Sequence, residues 1–281
     1  MKGIILAAGY GSRFLPITKT IPKEMLPIVN LPAIHFIVEE FLEAGIKDLL
    51  VISHRNKKSL EDYFDRIPEL ESYFERSGKK ESMNIIKPYE MNVAFIRQKE
   101  MKGPGDALLL AKPFIGNEPF VVAFPDDLII QTQKGLTSQL IETYEKFNKN
   151  VLSIMNIEGD VSRYGVVKPG IMIDQKHFEV IDMVEKPEKG KEPSKSISIG
   201  RYLFQPELME VLSELRKTHT GGEFYLTSGI QKLAKENKVM GCLFEGKRLD
   251  TGEPKGYIEA IIEYLKNHEE YNEIFSKIIN K

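Results

Sequence analysis

Two patterns of apolar and polar positions alternate along the first half of the chain. Short continuous apolar runs, typical of buried parallel strands, occur in GIILAA (3–8), DLLVIS (48–53), NVAFIR (92–97), PFVVAF (119–124) and VLSIMNI (151–157). Apolar residues spaced three or four positions apart predict helices at 32–44, 56–66, 106–111 and 136–148. This rhythm predicts an α/β fold, a Rossmann-like open, mostly parallel mixed sheet with helices on both faces.

The pattern changes after about residue 160, where strands follow one another closely. The segments GVVKP, FEVIDMVEKP and SISIGRYLF predict hairpins or a mixed sheet. Further helices are predicted at 206–216 and 226–236, a strand at 239–245, and a helical tail from Pro254. The charged stretch 68–90 is interpreted as an irregular insertion. We expect one domain over residues 1–281, with a first half to about 158, a second to about 252, and the tail from about 253.

Composition narrows the class of protein. A chain of 281 residues with 42% hydrophobic and 28% charged residues is typical of a globular protein with a sizeable core. The formal net charge of -2 argues against a broad nucleic-acid surface. A single cysteine, Cys242, excludes an internal disulfide framework and favours a reducing compartment. Neither a signal peptide nor a membrane-length apolar stretch is recognised, so we expect a cytoplasmic protein without nucleic-acid or membrane partners.

The loop after the first apolar run combines glycines with cations. Gly9 and Gly11 are followed by Arg13 and Lys23 on a segment stiffened by prolines, which suits the binding of a polyphosphate. The loop lacks the P-loop pattern, and Phe14 stands where a dinucleotide fingerprint needs its third glycine. The alternative interpretation is a tight turn with solvated cations.

Polar residues also follow other predicted strands. Asp126 and Asp127 come directly after PFVVAF, where open α/β sheets bind ligands and where carboxylates suit Mg²⁺. Gln98 ends NVAFIR, and its amide can pair with the N3–H and O4 edge of uracil or thymine. Glu185 and Lys186 are neighbours, so both reach one pocket only if the strand twists or bulges before the next proline. Each group could instead be a solvated strand end, and the scattered histidines argue against a His/Cys metal site.

The segment LAAGYGSRFLPITKTIPKEMLPIVNLP resembles the opening loop of the sugar-1-phosphate nucleotidyltransferases. Its part IPKEMLP is similar to the bacterial UTP–glucose-1-phosphate uridylyltransferases. Further motifs of this family follow in order along nearly the whole chain: RQ (97–98), PDD (125–127), YGVV (164–167), VEKP (184–187), GRY (200–202) and DTG (250–252). The segment KGPGDA (102–107) departs from the family, because Pro104 and Asp106 replace the usual Leu and His.

The resemblance implies a nucleotide-binding first half, a sugar-binding second half and a role for each matching residue. The implied roles are catalysis by Arg13, Lys23 and Lys186, nucleotide binding by Ala8, Gly9, Gly11, Gln98 and Gly103, sugar binding by Gly165, Glu185 and Gly200, and Mg²⁺ binding by Asp126 and Asp250. Gly165 and Gly200 are expected to offer backbone contacts, since side chains there would block the sugar. Asp127 stays open as a ligand.

The reaction implied by the resemblance is transfer of a uridylyl group from UTP to α-D-glucose 1-phosphate by Mg²⁺-assisted in-line attack on the α-phosphorus, giving UDP-glucose and pyrophosphate. The attacking phosphate needs no general base because its second pKa is about 6. Two alternatives stay open: a glucose-1-phosphate thymidylyltransferase, and a non-catalytic sugar-nucleotide-binding protein. The resemblance also implies a homo-oligomer, a dimer or tetramer, with the C-terminal helices as a plausible interface.

Overall fold

A computed structural model describes residues 1–130 and 132–279 and confirms the α/β class, with helices on both faces of a central sheet. The strands are β1 (Lys2–Leu6), β2 (Pro27–Ile28), β3 (Leu31–Pro32), β4 (Asp48–Ser53), β5 (Asn92–Arg97), β6 (Phe120–Ala123), β7 (Asp127–Ile130), β8 (Asn150–Asn156), β9 (Gly165–Met172), β10 (His177–Glu185), β11 (Ser196–Phe204), β12 (Val239–Leu243) and β13 (Lys247–Asp250). The helices are α1 (Ala33–Glu43), α2 (Lys58–Asp62), α3 (Pro68–Ser77), α4 (Lys80–Ile85), α5 (Pro104–Leu109), α6 (Lys112–Ile115), α7 (Leu136–Phe147), α8 (Glu207–Thr218), α9 (Thr227–Lys235), α10 (Pro254–Asn267) and α11 (Glu269–Ile279).

The central sheet has nine strands in the order β5-β4-β1-β6-β11-β8-β12-β10-β9. Strands β5, β4, β1 and β6 are parallel, as the apolar runs predict. Strand β11 lies antiparallel between β6 and β8, so antiparallel pairing reaches the middle of the sheet. The second half of the chain therefore completes the sheet of the first, and both predicted halves share one sheet.

Alternate residues of the buried strands face two separate apolar cores. Ile4 and Leu6 face a core that α5, α8 and α9 cover, whereas Ile5 faces the opposite core, formed with α1, α7 and α10. This arrangement explains why β1, β4 and β6 carry nearly continuous apolar runs. Gly3 allows α1 to approach the sheet, since a β-carbon there would stand 2.7 Å from the ring of Phe41.

Two sequence predictions in the region after β4 are wrong. The helix predicted at 56–66 is limited to Lys58–Asp62, and the stretch 68–90, predicted to be irregular, contains α3 and α4. Pro68 occupies the first turn of α3, and Gly78 ends it in the left-handed conformation, with φ of 69°. These are ordinary start and stop signals for a helix, but the abundance of charge hides the short apolar face.

A two-stranded ribbon of β7 and β13 was not predicted. It pairs Asp127 with Asp250 across an antiparallel register and so carries the DTG motif to the end of β6. The predicted helical tail is confirmed as α10 and α11, which meet at His268. Membrane-spanning helices are absent from the described part of the chain, since no helix there combines sufficient length with sufficient apolar character.

Candidate active site

The residues predicted for the site line one cleft of about 540 Å³, beyond the carboxyl ends of β1, β5 and β6. Clefts of roughly this size hold small-molecule ligands. The structure brings together the whole predicted set, namely Ala8, Gly9, Gly11, Arg13, Lys23, Gln98, Gly103, Asp126, Gly165, Glu185, Lys186, Gly200 and Asp250. The individual roles of these residues stay predictions.

The glycine loop after β1 aims two cations at the cleft. Gly11 is left-handed, with φ of 67°, and a β-carbon there would stand 3.1 Å from Thr18 Cγ2. The Thr18 hydroxyl donates to the Gly11 carbonyl at 2.8 Å and closes the loop. Arg13 Nη1 donates to the Gly252 carbonyl at 3.4 Å, while Lys23 stands in the last of three short turns. The proline-rich loop is therefore ordered by its own contacts.

Lys23 extends across the cleft to Asp126, with 2.5 Å between Nζ and Oδ2. Burial lowers the pKa of Lys23, but the Asp126 carboxylate outweighs it, and the net shift is upward. The turn that carries Lys23 is held from behind by Glu24, which is 2% exposed and accepts from Lys57 Nζ at 2.8 Å with both carboxylate oxygens. A buried ion pair thus holds the turn that presents Lys23.

The carboxylates of Asp126 and Asp250 meet beside Gly252. A β-carbon on Gly252 would stand 2.6 Å from Asp126 Oδ2 and 3.0 Å from Asp250 Oδ1. The register is held by Thr251, whose N–H donates to the Asp126 carbonyl at 2.8 Å. The two predicted metal ligands, distant in sequence, are therefore neighbours in space.

Asp127 lines the same cleft, and both of its carboxylate oxygens bind protein groups. Its Oδ2 accepts from the Gly200 N–H at 2.9 Å, and its Oδ1 accepts from Arg248 Nε at 2.5 Å. The oxygens of Asp250 also have protein donors, since Oδ1 accepts from the Gly252 N–H at 3.0 Å and Oδ2 accepts from Arg248 Nη2 at 3.2 Å. The assignment of Asp126 and Asp250 as cation ligands therefore stays a prediction. Burial raises the pKa of Asp126, but the Lys23 ammonium reverses this and holds the pKa below its ordinary value.

The donor set fits a hard divalent cation. Within the described residues, no group of three or more His, Cys, Asp or Glu side chains is arranged to hold a metal. The protein therefore offers a pair of carboxylates and leaves further positions to water and to ligand phosphates, as octahedral oxygen-loving cations require.

Gln98 and Gly103 lie at the base-binding end predicted by the resemblance. Gln98 is 4% exposed, and its Nε2 donates to the Gly103 carbonyl at 3.2 Å. Gly103 has φ of 97°, and a β-carbon there would stand 2.7 Å from the backbone of Phe224. A residue with a side chain therefore cannot replace Gly103 without moving the loop.

Glu185 and Lys186 both reach the cleft because Lys186, which directly follows β10, has a left-handed backbone. Lys186 has φ of 44°, which supplies the twist that the sequence required. Its Nζ lies 4.9 Å from the ring centroid of Tyr225, and Glu185 Oε2 accepts from the Thr227 hydroxyl at 2.6 Å. A hydrogen bond with Glu223 raises the pKa of Tyr225 to about 12, so this ring is neutral at pH 7.

The two predicted sugar-contact glycines have a different reason to be glycine. A β-carbon on Gly165 would stand 2.3 Å from Met183 Cε, and one on Gly200 would stand 2.5 Å from Asp127 Oδ2. The clash is with the protein itself, not only with a ligand. The Gly200 N–H already donates to Asp127, and its carbonyl accepts from the Phe124 N–H at 2.7 Å. Gly200 therefore makes room for the Asp127 carboxylate, and its predicted backbone contact with the sugar stays a prediction.

Arg248 is a site residue that the sequence analysis missed. In addition to Asp127, it contacts Asp250, with 3.2 Å between Nη2 and Oδ2, and its guanidinium stands 5.3 Å from the ring centroid of Tyr164. Arg248 and Asp250 are two positions apart on β13 and share one face. The spacing of two positions between Arg248 and Asp250 could have indicated this contact, but only if the segment had been predicted to be a strand. The segment has too few apolar positions for that prediction.

Comparison with known proteins defines the family. A family model described as Nucleotidyl transferase matches residues 2–267. The chain belongs to this family. The UTP–glucose-1-phosphate uridylyltransferase of Bacillus subtilis (strain 168) is 42% identical over 272 residues, which cover 96% of this chain and 92% of that protein.

Two solved structures are also similar over almost their full lengths. A UDP-glucose pyrophosphorylase complexed with UDP-glucose is 41% identical, with a TM-score of 0.84, and the match covers 95% of this chain and 99% of that one. A UTP-bound UGPase from Acinetobacter baumannii is 30% identical, with a TM-score of 0.90 and coverage of 100% and 98%.

The charged side chains of this nucleotidyl transferase occupy separate parts of the cleft. Arg13 and Lys23 stand at the glycine loop, Lys186 stands at the end of β10, and the Asp126–Asp250 pair lies on the ribbon. Two anionic phosphate groups that repel each other in water could be held here by separate cations. Positioning and charge neutralisation supply most of the catalysis in phosphoryl transfer.

Proposed function

We propose that this chain transfers a uridylyl group from UTP to α-D-glucose 1-phosphate, giving UDP-glucose and pyrophosphate. The convergence of Lys23, Asp126, Asp250 and Lys186 on one cleft carries the proposal. It is supported by the names and extents of the similar proteins.

The reaction proceeds by in-line substitution at the α-phosphorus of UTP. A phosphate oxygen of glucose 1-phosphate forms the new P–O bond while the bond to the oxygen that bridges the α- and β-phosphorus atoms breaks. Pyrophosphate leaves with that electron pair. Glucose 1-phosphate is largely dianionic at pH 7, since its second pKa is about 6. No proton is removed from the nucleophile, so the reaction needs no general base.

The charged side chains have separate tasks in this proposal. Lys186 holds the attacking phosphate, while Arg13 and Lys23 hold the triphosphate. Mg²⁺ held by Asp126 and Asp250 would supply further neutralisation of the triphosphate charge. Lys23 contacts Asp126 at 2.5 Å, so a cation held by Asp126 would add its charge next to that of the lysine.

The two ends of the cleft select the substrates. Ala8, Gly9, Gly11, Gln98 and Gly103 bind the nucleotide at the end next to β1 and β5. Glu185 accepts hydrogen bonds from sugar hydroxyls at the opposite end, next to Gly165. The Thr227 hydroxyl, 2.6 Å from Glu185 Oε2, orients that carboxylate.

Release of pyrophosphate tests the proposal directly. UTP and dTTP are each supplied with Mg²⁺ and either glucose 1-phosphate or galactose 1-phosphate. We expect the highest kcat/KM for UTP with glucose 1-phosphate. A preference for dTTP would replace the uridylyl assignment by thymidylyl transfer, and binding of UDP-glucose without turnover in any combination would identify a silent binding protein.

We also propose that the enzyme is a cytoplasmic homo-oligomer, a dimer or tetramer. Helix α11 supports the second part, because its Ile274 and Ile278 are 56% and 68% exposed. Sedimentation equilibrium of the intact chain measures the assembly, and a monomer at micromolar concentration would exclude it.

A further inference from the structure

The amide of Gln98 is bound by two acceptors that have fixed roles. Its Nε2 lies 3.2 Å from the Gly103 carbonyl oxygen and 3.3 Å from Asp106 Oδ2. A carbonyl oxygen and an ionised carboxylate only accept hydrogen bonds. Because the amide nitrogen is the only donor of the side chain, chemistry alone requires that the nitrogen face these two neighbours.

Asp106 is held in turn by α8. Its second oxygen, Oδ1, accepts from Arg216 Nε at 3.0 Å, and the Arg216 guanidinium stands 5.9 Å from the ring centroid of Phe224. Both Asp106 oxygens therefore have protein partners, so the carboxylate does not bind the nucleobase itself. It serves to fix Gln98.

The opposite side of the Gln98 amide is available to a ligand. Within residues 1–130 and 132–279, no protein donor reaches Gln98 Oε1, and this oxygen is open to the cleft. The Gly103 N–H likewise has no acceptor in that part of the chain. The site thus presents one acceptor and one donor side by side.

We propose that Asp106, held by Arg216, is a positioning residue that locks Gln98 with its oxygen towards the base and so selects pyrimidines that carry an N3–H. This inference rests on the proposed function for the use of the cleft by a nucleotide. Uracil and thymine present N3–H to Gln98 Oε1, with a neighbouring carbonyl for the Gly103 N–H. Cytosine in the same position presents an N3 lone pair to Oε1, so two acceptors oppose each other.

The Asp106→Asn variant removes the lock while keeping the shape of the side chain. Arg216 draws the Asn oxygen, which leaves the Asn amide nitrogen facing Gln98. If Gln98 keeps its orientation, its amide nitrogen donates to the Gly103 carbonyl but faces the amide nitrogen of the new asparagine. If Gln98 turns over, its oxygen accepts from that nitrogen but faces the Gly103 carbonyl oxygen. The preference between the two orientations is lost.

The measurement is kcat/KM for UTP, dTTP and CTP, together with calorimetric binding of UDP and CDP, in wild type and Asp106→Asn. We expect the UTP-to-CTP and UDP-to-CDP ratios to fall about tenfold, the scale of one opposed buried polar contact. The UTP-to-dTTP ratio should stay unchanged, because both bases carry N3–H. Arg216→Gln should shift the ratios in the same direction.

Glu210→Gln is the matched control, since Glu210 joins the same helix α8 to Lys112 at 2.8 Å without touching Gln98. An unchanged UTP-to-CTP ratio in folded Asp106→Asn, or an equal fall in the control, overturns the proposal. If the wild type binds UDP more tightly than CDP but shows no turnover, the proposed reaction is refuted. This inference is unaffected by that result, because it concerns nucleotide binding and not the chemical step.

Discussion

Replacing Glu40 by Gln tests the buried ion pair that lies beneath the cleft. Arg201 is fully buried, and its Nε and Nη2 donate to the two Glu40 oxygens at 2.9 and 3.1 Å. Glu40 also accepts from the Thr137 N–H at 2.9 Å. In Glu40→Gln the amide nitrogen replaces one acceptor, so a guanidinium N–H loses its partner and the buried charge loses its counterion.

The expected cost is large because Arg201 cannot reach water. Removing one partner of a buried pair typically costs ~3–5 kcal/mol. For a chain of this size, that corresponds to a fall in Tm of roughly 10 °C. Arg201 also donates to the carbonyls of Gly200 and Asp127 at 3.3 Å each. Turnover should therefore fall even under conditions in which the variant is folded.

The matched control is Glu61→Gln, which breaks a pair of the same bidentate geometry at the surface. Arg97 Nε and Nη2 contact Glu61 Oε1 and Oε2 at 3.1 and 2.9 Å, but the Arg97 side chain is 51% exposed. An exposed pair contributes only ~0.2–1 kcal/mol. Urea denaturation followed by circular dichroism measures both variants. If the two cost the same within about 1 kcal/mol, the reasoning from burial is wrong.

Three further predictions concern the site and its surroundings. Asparagine is tolerated in the left-handed backbone of Lys186, which has φ of 44°, but the Lys186→Asn variant lacks the positive charge. We expect kcat/KM in the pyrophosphate assay to fall at least ~100-fold while Tm stays unchanged. Near-normal turnover would exclude Lys186 as the phosphate contact. Asp126→Asn should raise the Mg²⁺ concentration for half-maximal rate about tenfold or more, and an unchanged Mg²⁺ titration would show that the cation binds elsewhere. Burial lowers the pKa of His35 despite the nearby Glu39; the unfolded chain then binds this proton more readily, so stability is lost as pH falls below about 6.5. His35→Gln should flatten that loss in urea titrations between pH 7.5 and 5, and an equally steep profile would assign the effect to other groups.

The strands of the first half were predictable because packing against the cores produces short apolar runs in the sequence. The runs at 48–53 and 92–97 coincide with β4 and β5, and the helix predicted at 136–148 differs from α7 by one residue. Strand β4 is buried almost throughout, α7 packs its apolar face on one core, and the edge strand β5 is only partly buried. The stretch 68–90 lacks such an apolar pattern, since none of the residues in α3 and α4 is fully buried.

The β7–β13 ribbon was beyond sequence reasoning for a different reason. Each strand has four residues, and each includes charged positions. Their pairing joins segments more than a hundred positions apart, with Asp127 opposite Asp250. Local patterns contain no information about such a contact. The resemblance alone connected the DTG motif with the PDD motif, and the ribbon gives the physical reason for that connection.

The sequence does not determine which of Asp126 and Asp127 is the metal ligand. Asp126 lies in the turn after β6 and Asp127 begins β7, and both line the cleft, so the alternation of side chains along a strand does not separate them. Asp127 differs from Asp126 in its two distant donors, the Gly200 N–H at 2.9 Å and Arg248 Nε at 2.5 Å. Arg248 also holds Asp250 at 3.2 Å. A single arginine, absent from every recognised motif, therefore binds both Asp127 and the predicted cation ligand Asp250, while Asp126 binds Lys23.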